Sequence, residues 1–234
     1  MNISPKYWVI LPAAGIGRRL GANKPKQYLP LHGKPLIAHT IACFETHPCI
    51  QKIVVAVADN DTVWDQIRPA LPHQKIMTVI GGKERYHSVY NALAALQEIA
   101  EPQDWVLVHD AVRPCLQRQE IDRLIYALKD HPVGGLLGIK IRDTLKKTDQ
   151  NNQVINTLDR DNVWQAQTPQ MFRYGLLWQA LEMTIKNGHQ ITDEASAIEL
   201  AGKQPFMVEG SPNNLKITYT EDLMQAEQIL LAAS

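Results

Sequence analysis

Four short apolar runs punctuate the first half of this 234-residue chain: YWVIL at 7–11, KIVVAV at 52–57, KIMTVI at 75–80 and WVLVH at 105–109. They are continuously apolar rather than alternating. A strand of that kind has both faces covered, which is the condition of a parallel sheet held between helices. Helix-length stretches separate the runs, at Pro35–Glu45, Thr62–Leu71, Ser88–Ile99 and Gln119–Lys129. Within Ser88–Ile99, Val89, Ala92, Leu93 and Leu96 recur at helical spacing. Strand and helix in strict alternation predict βαβ crossovers and an α/β fold with a mostly parallel sheet flanked by helices.

The texture changes after residue 133. GGLLGIKI (134–141), TLKKT (144–148) and QVINTL (153–158) read as successive strands, with a polar turn, DQNN, at 149–152. Residues at about 140–160 thus form a projecting β-hairpin arm with too little apolar material for a core of its own. A second copy of the chain is the simplest surface for such an arm to pack on. Helical texture returns at Tyr174–Lys186, Asp193–Ala201 and Glu221–Ala232, and LKIT at 215–218 reads as a short strand. Without repeats or a low-complexity linker, residues 1–234 are expected to form one domain with an arm.

Charge is unevenly distributed. Lys+Arg and Asp+Glu both number 24, yet the first 44 residues carry Lys6, Arg18, Arg19, Lys24, Lys26 and Lys34 and no acidic residue before Glu45. The neutral total argues against general nucleic-acid or membrane-surface binding, while the basic N-terminal stretch suggests an anion site. The plain alternative is a solvated loop. No run approaches the ~18 apolar residues of a membrane span, and the N-terminus lacks the pattern of a secretory signal. Cys43, Cys49 and Cys115 form no CxxC pair and read as buried small hydrophobes. A soluble protein of a reducing compartment, the cytoplasm, is expected.

A glycine-rich turn, LPAAGIGRRLGANKPKQYLPL, follows the first strand, where α/β proteins bind nucleotides. A dinucleotide fingerprint fits poorly. Gly15 and Gly17 are in place, but the third glycine, Gly21, falls one position late, Pro25 interrupts the expected helix, and no carboxylate lies ~20 positions on. No Gly-Lys pair is followed by Ser or Thr, so the P-loop reading fails. The remaining design wraps a nucleoside triphosphate. Ala13, Ala14 and Gly15 permit close backbone approach, and Arg18, Arg19, Lys24 and Lys26 supply cations within nine residues. Such a loop suits attack by a phosphate oxygen on an α-phosphorus, where positioned cations stabilise the developing charge. An anionic phosphate monoester hardly needs a general base.

This loop resembles the signature of the cytidylyltransferases acting on 2-C-methyl-D-erythritol 4-phosphate in the non-mevalonate isoprenoid pathway. GGKERYHSV (81–89), VHDAVRPC (108–115), RDTLK (142–146), DR (159–160), TPQMF (168–172), ITDEASA (191–197) and NLKIT (214–218) resemble further motifs of that family, in its order. The resemblance implies a Rossmann-like fold of the nucleotide-diphospho-sugar transferase type. It implies backbone contacts to CTP from Ala13, Ala14, Gly15, Gly81 and Gly82, with Ser88 at the start of its helix. Arg19, Lys26 and Lys216 would be the catalytic cations. Asp110 would orient the triphosphate and ligate Mg²⁺, which takes few protein carboxylates. Arg113, Thr144, Arg160, Thr168 and Thr192 would hold the polyol phosphate. In the family the arm crosses to a partner in a homodimer, so Thr144 and Arg160 would serve the partner's site.

Other readings of these residues bear on the outcome. Arg18, next to Arg19, cannot face the same phosphate and reads as structural or solvated; Lys24 and Lys34 read as solvated. His109 reads as a packed, hydrogen-bonded histidine. Asp193 and Glu194 form an acidic pair at a helix N-terminus, which the dipole favours. The resemblance allows a cytidylyltransferase for another polyol phosphate, such as ribitol 5-phosphate. From other classes, a dinucleotide-dependent oxidoreductase and a silent binding module of the same fold are the competitors.

Overall fold

The computed structural model describes residues 5–15, 25–71 and 74–232. Seven strands form one sheet: β1 (Tyr7–Pro12), β2 (Ile50–Val57), β3 (Ile76–Ile80), β4 (Trp105–Val108), β5 (Gly134–Lys140), β8 (Trp164–Arg173) and β9 (Phe206–Glu209). The arm strands, β6 (Leu145–Thr148) and β7 (Val154–Leu158), form a separate antiparallel pair. The sheet order is β9-β5-β8-β4-β1-β2-β3. Every neighbouring pair is parallel except the two that β8 makes, with β4 and β5. The fold is α/β with a mostly parallel sheet, as the alternation of runs implied, and Rossmann-like, as the resemblance implied.

The strands are apolar throughout because both sheet faces are covered. Val9 and Leu11 of β1 enter one core with Ile53, Val55, Trp105 and Leu107. Trp8 and Ile10 enter the other with Val54, Val106 and Val108. The helices α1 (Leu36–Glu45), α2 (Thr62–Ile67) and α4 (Arg118–Leu128) cover the first face. The second is covered by α3 (Arg85–Ala94), α5 (Tyr174–Lys186) and α6 (Glu194–Leu200). A third cluster, Leu31, Leu36, Cys115, Ile217 and Ala226, lies under α7 (Thr220–Ala232).

Several expectations are corrected. LKIT is irregular: Ile217 is buried under α7 and its N–H reaches Val112 O at 2.9 Å, with no strand ladder. Two strands of the seven-stranded sheet were not foreseen, β8 and the edge strand β9, nor was the short antiparallel pair Pro30–Leu31 with Lys34–Pro35. Helix α3 begins three residues early, because Glu84 ends the loop with its N–H on His87 Nδ1. Ser88 is therefore the fourth residue of that helix rather than its start. Cys49 is exposed, at the entrance to β2, while Cys43 is partly buried and Cys115 buried. Between the parallel strands β1 and β4 the order of strand addition reverses, the switch point at whose carboxyl ends such sheets bind ligands.

Candidate active site

Two cavities open at that switch point. The first is lined by Ala13, Ala14, Gly15, Lys26, Gly82 and Ser88, together with Arg85, Asp110 and Lys216. The second is lined by Arg113, Gln167, Thr168 and Thr192, again with Arg85, Asp110 and Lys216. Three charged residues are thus common to both. A group reaching from one cavity to the other must pass them.

The wall of the first cavity is built by close backbone approach. A methyl group on Gly81 would lie 2.5 Å from Ala14 Cβ and 2.7 Å from Ser88 Oγ, so only glycine fits. Gly81 N–H donates to Val57 O (2.7 Å) and Gly82 N–H to Ser88 Oγ (3.0 Å). With both donors spent, this turn has only carbonyl acceptors left for a ligand. On the opposite side, buried Gln27 donates from Nε2 to Ala13 O (2.6 Å) and Gly15 O (3.3 Å). That amide ties residue 27 to the backbone at 13–15 and fixes Lys26, its neighbour, at the mouth. Lys26 Nζ also reaches Ile217 O at 3.5 Å. Arg18, Arg19 and Lys24 lie outside the described residues.

Asp110 lies two residues past the end of β4 and is 7% exposed. Its Oδ1 accepts from Arg85 Nε at 3.1 Å; its Oδ2 accepts from Arg113 Nε at 3.2 Å and pairs with Lys216 Nζ at 3.1 Å. Burial opposes ionisation, but Arg85, Lys216 and Arg113 outweigh it and hold the carboxyl well below the usual range. Arg85 also forks onto Glu194, with Nη1–Oε1 at 2.6 Å and Nη2–Oε2 at 3.2 Å, and Glu194 is fully buried. The acidic pair heading α6 therefore divides. Asp193 caps the helix through Ser196 N–H, whereas Glu194 is a buried counter-ion.

Among the described residues no group of three or more His, Cys, Asp or Glu could cage a metal ion. Asp110 is the carboxylate at the junction, and of its three cations Lys216 is the most exposed, at 46%. If Lys216 moves away, Oδ2 can ligate a divalent ion whose other positions are phosphate oxygens and water, which is the donor set Mg²⁺ accepts.

Other expected residues stand as follows. Thr168 and Arg113 are buried in the second cavity, and Thr192 is exposed at its rim. Thr144 and Arg160 are exposed on the arm, outside both cavities, with Arg160 Nη1 on Arg142 O. Val154, Ile155 and Leu158 of β7 are exposed at 60%, 61% and 42%. His109 is fully buried and hydrogen-bonded on both ring nitrogens, as a packed histidine should be. No described helix is long and apolar enough to cross a membrane. Arg85 and Gln27 were not anticipated. Arg85 lay inside a quoted motif, but the residue that reveals its role is 109 positions away.

Known proteins give a consistent picture. The family profile IspD, 2-C-methyl-D-erythritol 4-phosphate cytidylyltransferase, matches residues 7–232. A protein of that name from Pseudomonas putida strain GB-1 is 48% identical over 224 residues, covering 95% of each chain. One from Ectopseudomonas mendocina strain ymp is 48% identical over 227 residues, 97% of this chain and 96% of its own. The crystal structure of the Francisella tularensis enzyme superposes with a TM-score of 0.83 at 39% identity, covering 96% of this chain and 99% of that one. The chain belongs to the 2-C-methyl-D-erythritol 4-phosphate cytidylyltransferase family.

Proposed function

We propose that this chain transfers a cytidylyl group from CTP to 2-C-methyl-D-erythritol 4-phosphate, giving 4-diphosphocytidyl-2-C-methyl-D-erythritol and pyrophosphate. The carrying observation is the pair of cavities that share Arg85, Asp110 and Lys216. CTP occupies the first, against Ala13, Ala14, Gly15, Gly81, Gly82 and Ser88. The polyol phosphate occupies the second, with Arg113, Thr168 and Thr192. Its phosphate meets the α-phosphorus at the shared cations and displaces pyrophosphate in line, with no covalent enzyme intermediate. Lys26 and Lys216, with Arg19 from the loop, stabilise charge as it builds on the phosphoryl oxygens and the leaving group. Asp110 holds Arg85 and Arg113 in place and, with Lys216 turned from it to the phosphates, would hold Mg²⁺, which neutralises triphosphate charge when bound.

The functional unit is a homodimer of single nucleotidyltransferase domains spanning 1–234, located in the cytoplasm. Its arms, at about 140–160, cover the exposed Val154, Ile155 and Leu158 and deliver Thr144 and Arg160 to the partner's site. A matrix of four nucleoside triphosphates against 2-C-methyl-D-erythritol 4-phosphate and ribitol 5-phosphate, read as pyrophosphate release, tests the assignment. Only CTP with the methylerythritol phosphate should turn over efficiently; equal use of UTP, ATP or ribitol 5-phosphate overturns it. Lys26→Ala should lower kcat far more than it disturbs folding, and activity within twofold of wild type would remove Lys26 from its role.

A further inference from the structure

The hydrogen bonds around Thr168 have a direction that the distances alone determine. At one end is the N–H of Asp110, which can only donate; it reaches Thr168 Oγ1 at 3.1 Å. At the other is the carbonyl of Arg113, which can only accept; it lies 3.0 Å from His109 Nε2. Between them His109 Nδ1 and Thr168 Oγ1 are 2.9 Å apart. The Arg113 carbonyl requires a hydrogen on Nε2. A neutral imidazole then has Nδ1 bare, and Nδ1 must accept the hydroxyl hydrogen of Thr168. That hydroxyl has one lone pair on the Asp110 N–H, its hydrogen on His109, and one lone pair left over.

The alternatives cost more. A neutral ring with its hydrogen on Nδ1 would set the Nε2 lone pair against the Arg113 carbonyl. An imidazolium would satisfy both neighbours but must exist in a fully buried place. The charged groups acting on the ring are Asp110 and Arg113, which oppose each other, and Phe44 meets it edge-on with ring centroids 5.2 Å apart. Burial, the largest influence, disfavours the charged ring.

We propose that His109 is a positioning residue that commits Thr168 to accepting, so that Thr168 takes a hydroxyl of the polyol and turns away a phosphate oxygen. This rests on the second cavity being the polyol-phosphate site. It orients that substrate: hydroxyls toward Thr168, phosphate toward Arg85 and Lys216 at the junction, where the α-phosphorus must come. His109 touches neither substrate and acts through the threonine.

The test has two arms. In the whole wild-type enzyme with ¹⁵N-labelled histidine, two-bond proton–nitrogen spectra at pH 7 should show His109 neutral with its hydrogen on Nε2. The His109→Asn variant identifies the signal by its loss. A hydrogen on Nδ1, or an imidazolium, overturns the proposal. In the second arm, Thr168→Val should raise KM for the polyol phosphate about tenfold, leave KM for CTP within twofold, and abolish discrimination against the monodeoxy analogue lacking the contacted hydroxyl. Thr168→Ser should restore that discrimination. If Thr168→Val discriminates among the monodeoxy analogues as wild type does, the threonine is structural and the proposal fails. Wild-type enzyme that transfers nothing to the polyol phosphate would refute the reading of the cavity, a result separable from the tautomer found by the first arm.

Discussion

Replacing Arg85 by Met should destabilise the protein in a way that depends on pH with a calculable slope. Glu194 is fully buried, and among the described residues its ion-pair partner is Arg85. Burial pushes its carboxyl up, and Arg85 draws it back toward the ionised form. Methionine keeps the aliphatic volume and removes three donors, two from Glu194 and one from Asp110. A lone buried carboxylate does not stay charged; it takes up a proton instead. Relative to the unfolded chain, where the carboxyl has its ordinary value of 4.5, taking up that proton at pH 7 costs at most about 3.4 kcal/mol at ~1.36 kcal/mol per pH unit, and less to the extent that burial already holds the wild-type carboxyl up. This agrees with the ~3–5 kcal/mol loss typical of breaking a buried pair. In the variant the native state holds the extra proton, so lowering the pH helps it relative to wild type. Urea denaturation of both proteins at pH 7 and 6 should show the stability difference shrinking by about 1.4 kcal/mol. Arg85→Met with Glu194→Gln should abolish that change, since the other carboxyl that loses Arg85, Asp110, keeps Arg113 and Lys216 and stays ionised. A difference that is flat with pH in the single variant would mean that Glu194 stays ionised without Arg85, and would refute the reasoning.

Three further outcomes are expected. His109 titrates at about 4 in the fold against 6.5 ordinarily, so the unfolded chain binds the proton first; wild-type stability should fall by up to ~3 kcal/mol from this residue as pH drops from 6.5 to 4. His109→Gln should lack that part of the slope in urea titrations, and an equal slope would contradict it. Gly81→Ala places a methyl 2.5 Å from Ala14 Cβ, which should cost ~1–3 kcal/mol of stability and raise KM for CTP at least about tenfold; an unchanged KM would detach Gly81 from the nucleotide. Ile155→Asp charges a side chain that is 61% exposed in one chain, and should convert a sedimenting dimer to monomer; an unaltered sedimentation coefficient would remove β7 from the interface.

The parts of the fold legible in the sequence were those whose environment is uniform. Val9, Ile10 and Leu11 are apolar in succession because each face of β1 meets a helix layer, so a plain apolar run announced the strand. Strand β8 lacked that signature. Gln165, Gln167 and Gln170 interrupt it, Pro169 cannot donate to a ladder, and its register breaks between Ala166 and Gln170. Two of the residues that spoil its pattern, Gln167 and Gln170, line the second cavity, and Gln170 also binds Asp193 and the N–H of Ala195. LKIT failed the other way, since Ile217 is apolar for burial under α7 and not for a sheet. Asp110 was legible because a carboxylate after a parallel strand has few structural uses. Arg85 with Glu194, and Gln27 with Ala13 and Gly15, were not, because side-chain hydrogen bonds across distant segments leave no periodicity.

Strand β8 is one continuous stretch from Trp164, paired with Lys140 where the arm meets the sheet, to Arg173, paired with Trp105 at the far end of β4, with its pairing to β5 interrupted between Ala166 and Gln170. The arm and the floor of the second cavity are thus one piece of backbone. Adding or deleting one residue between Trp164 and Thr168 would turn alternate side chains to the opposite face and carry Thr168 away from His109. Length change is harmless only at the outer end, around the turn at Asp149–Asn152, and only if β6 and β7 change together. An arm of this construction can vary across relatives in matched pairs of residues from its tip, while its root stays fixed in length. Circular permutants, inserted tags and reporter loops face the same constraint.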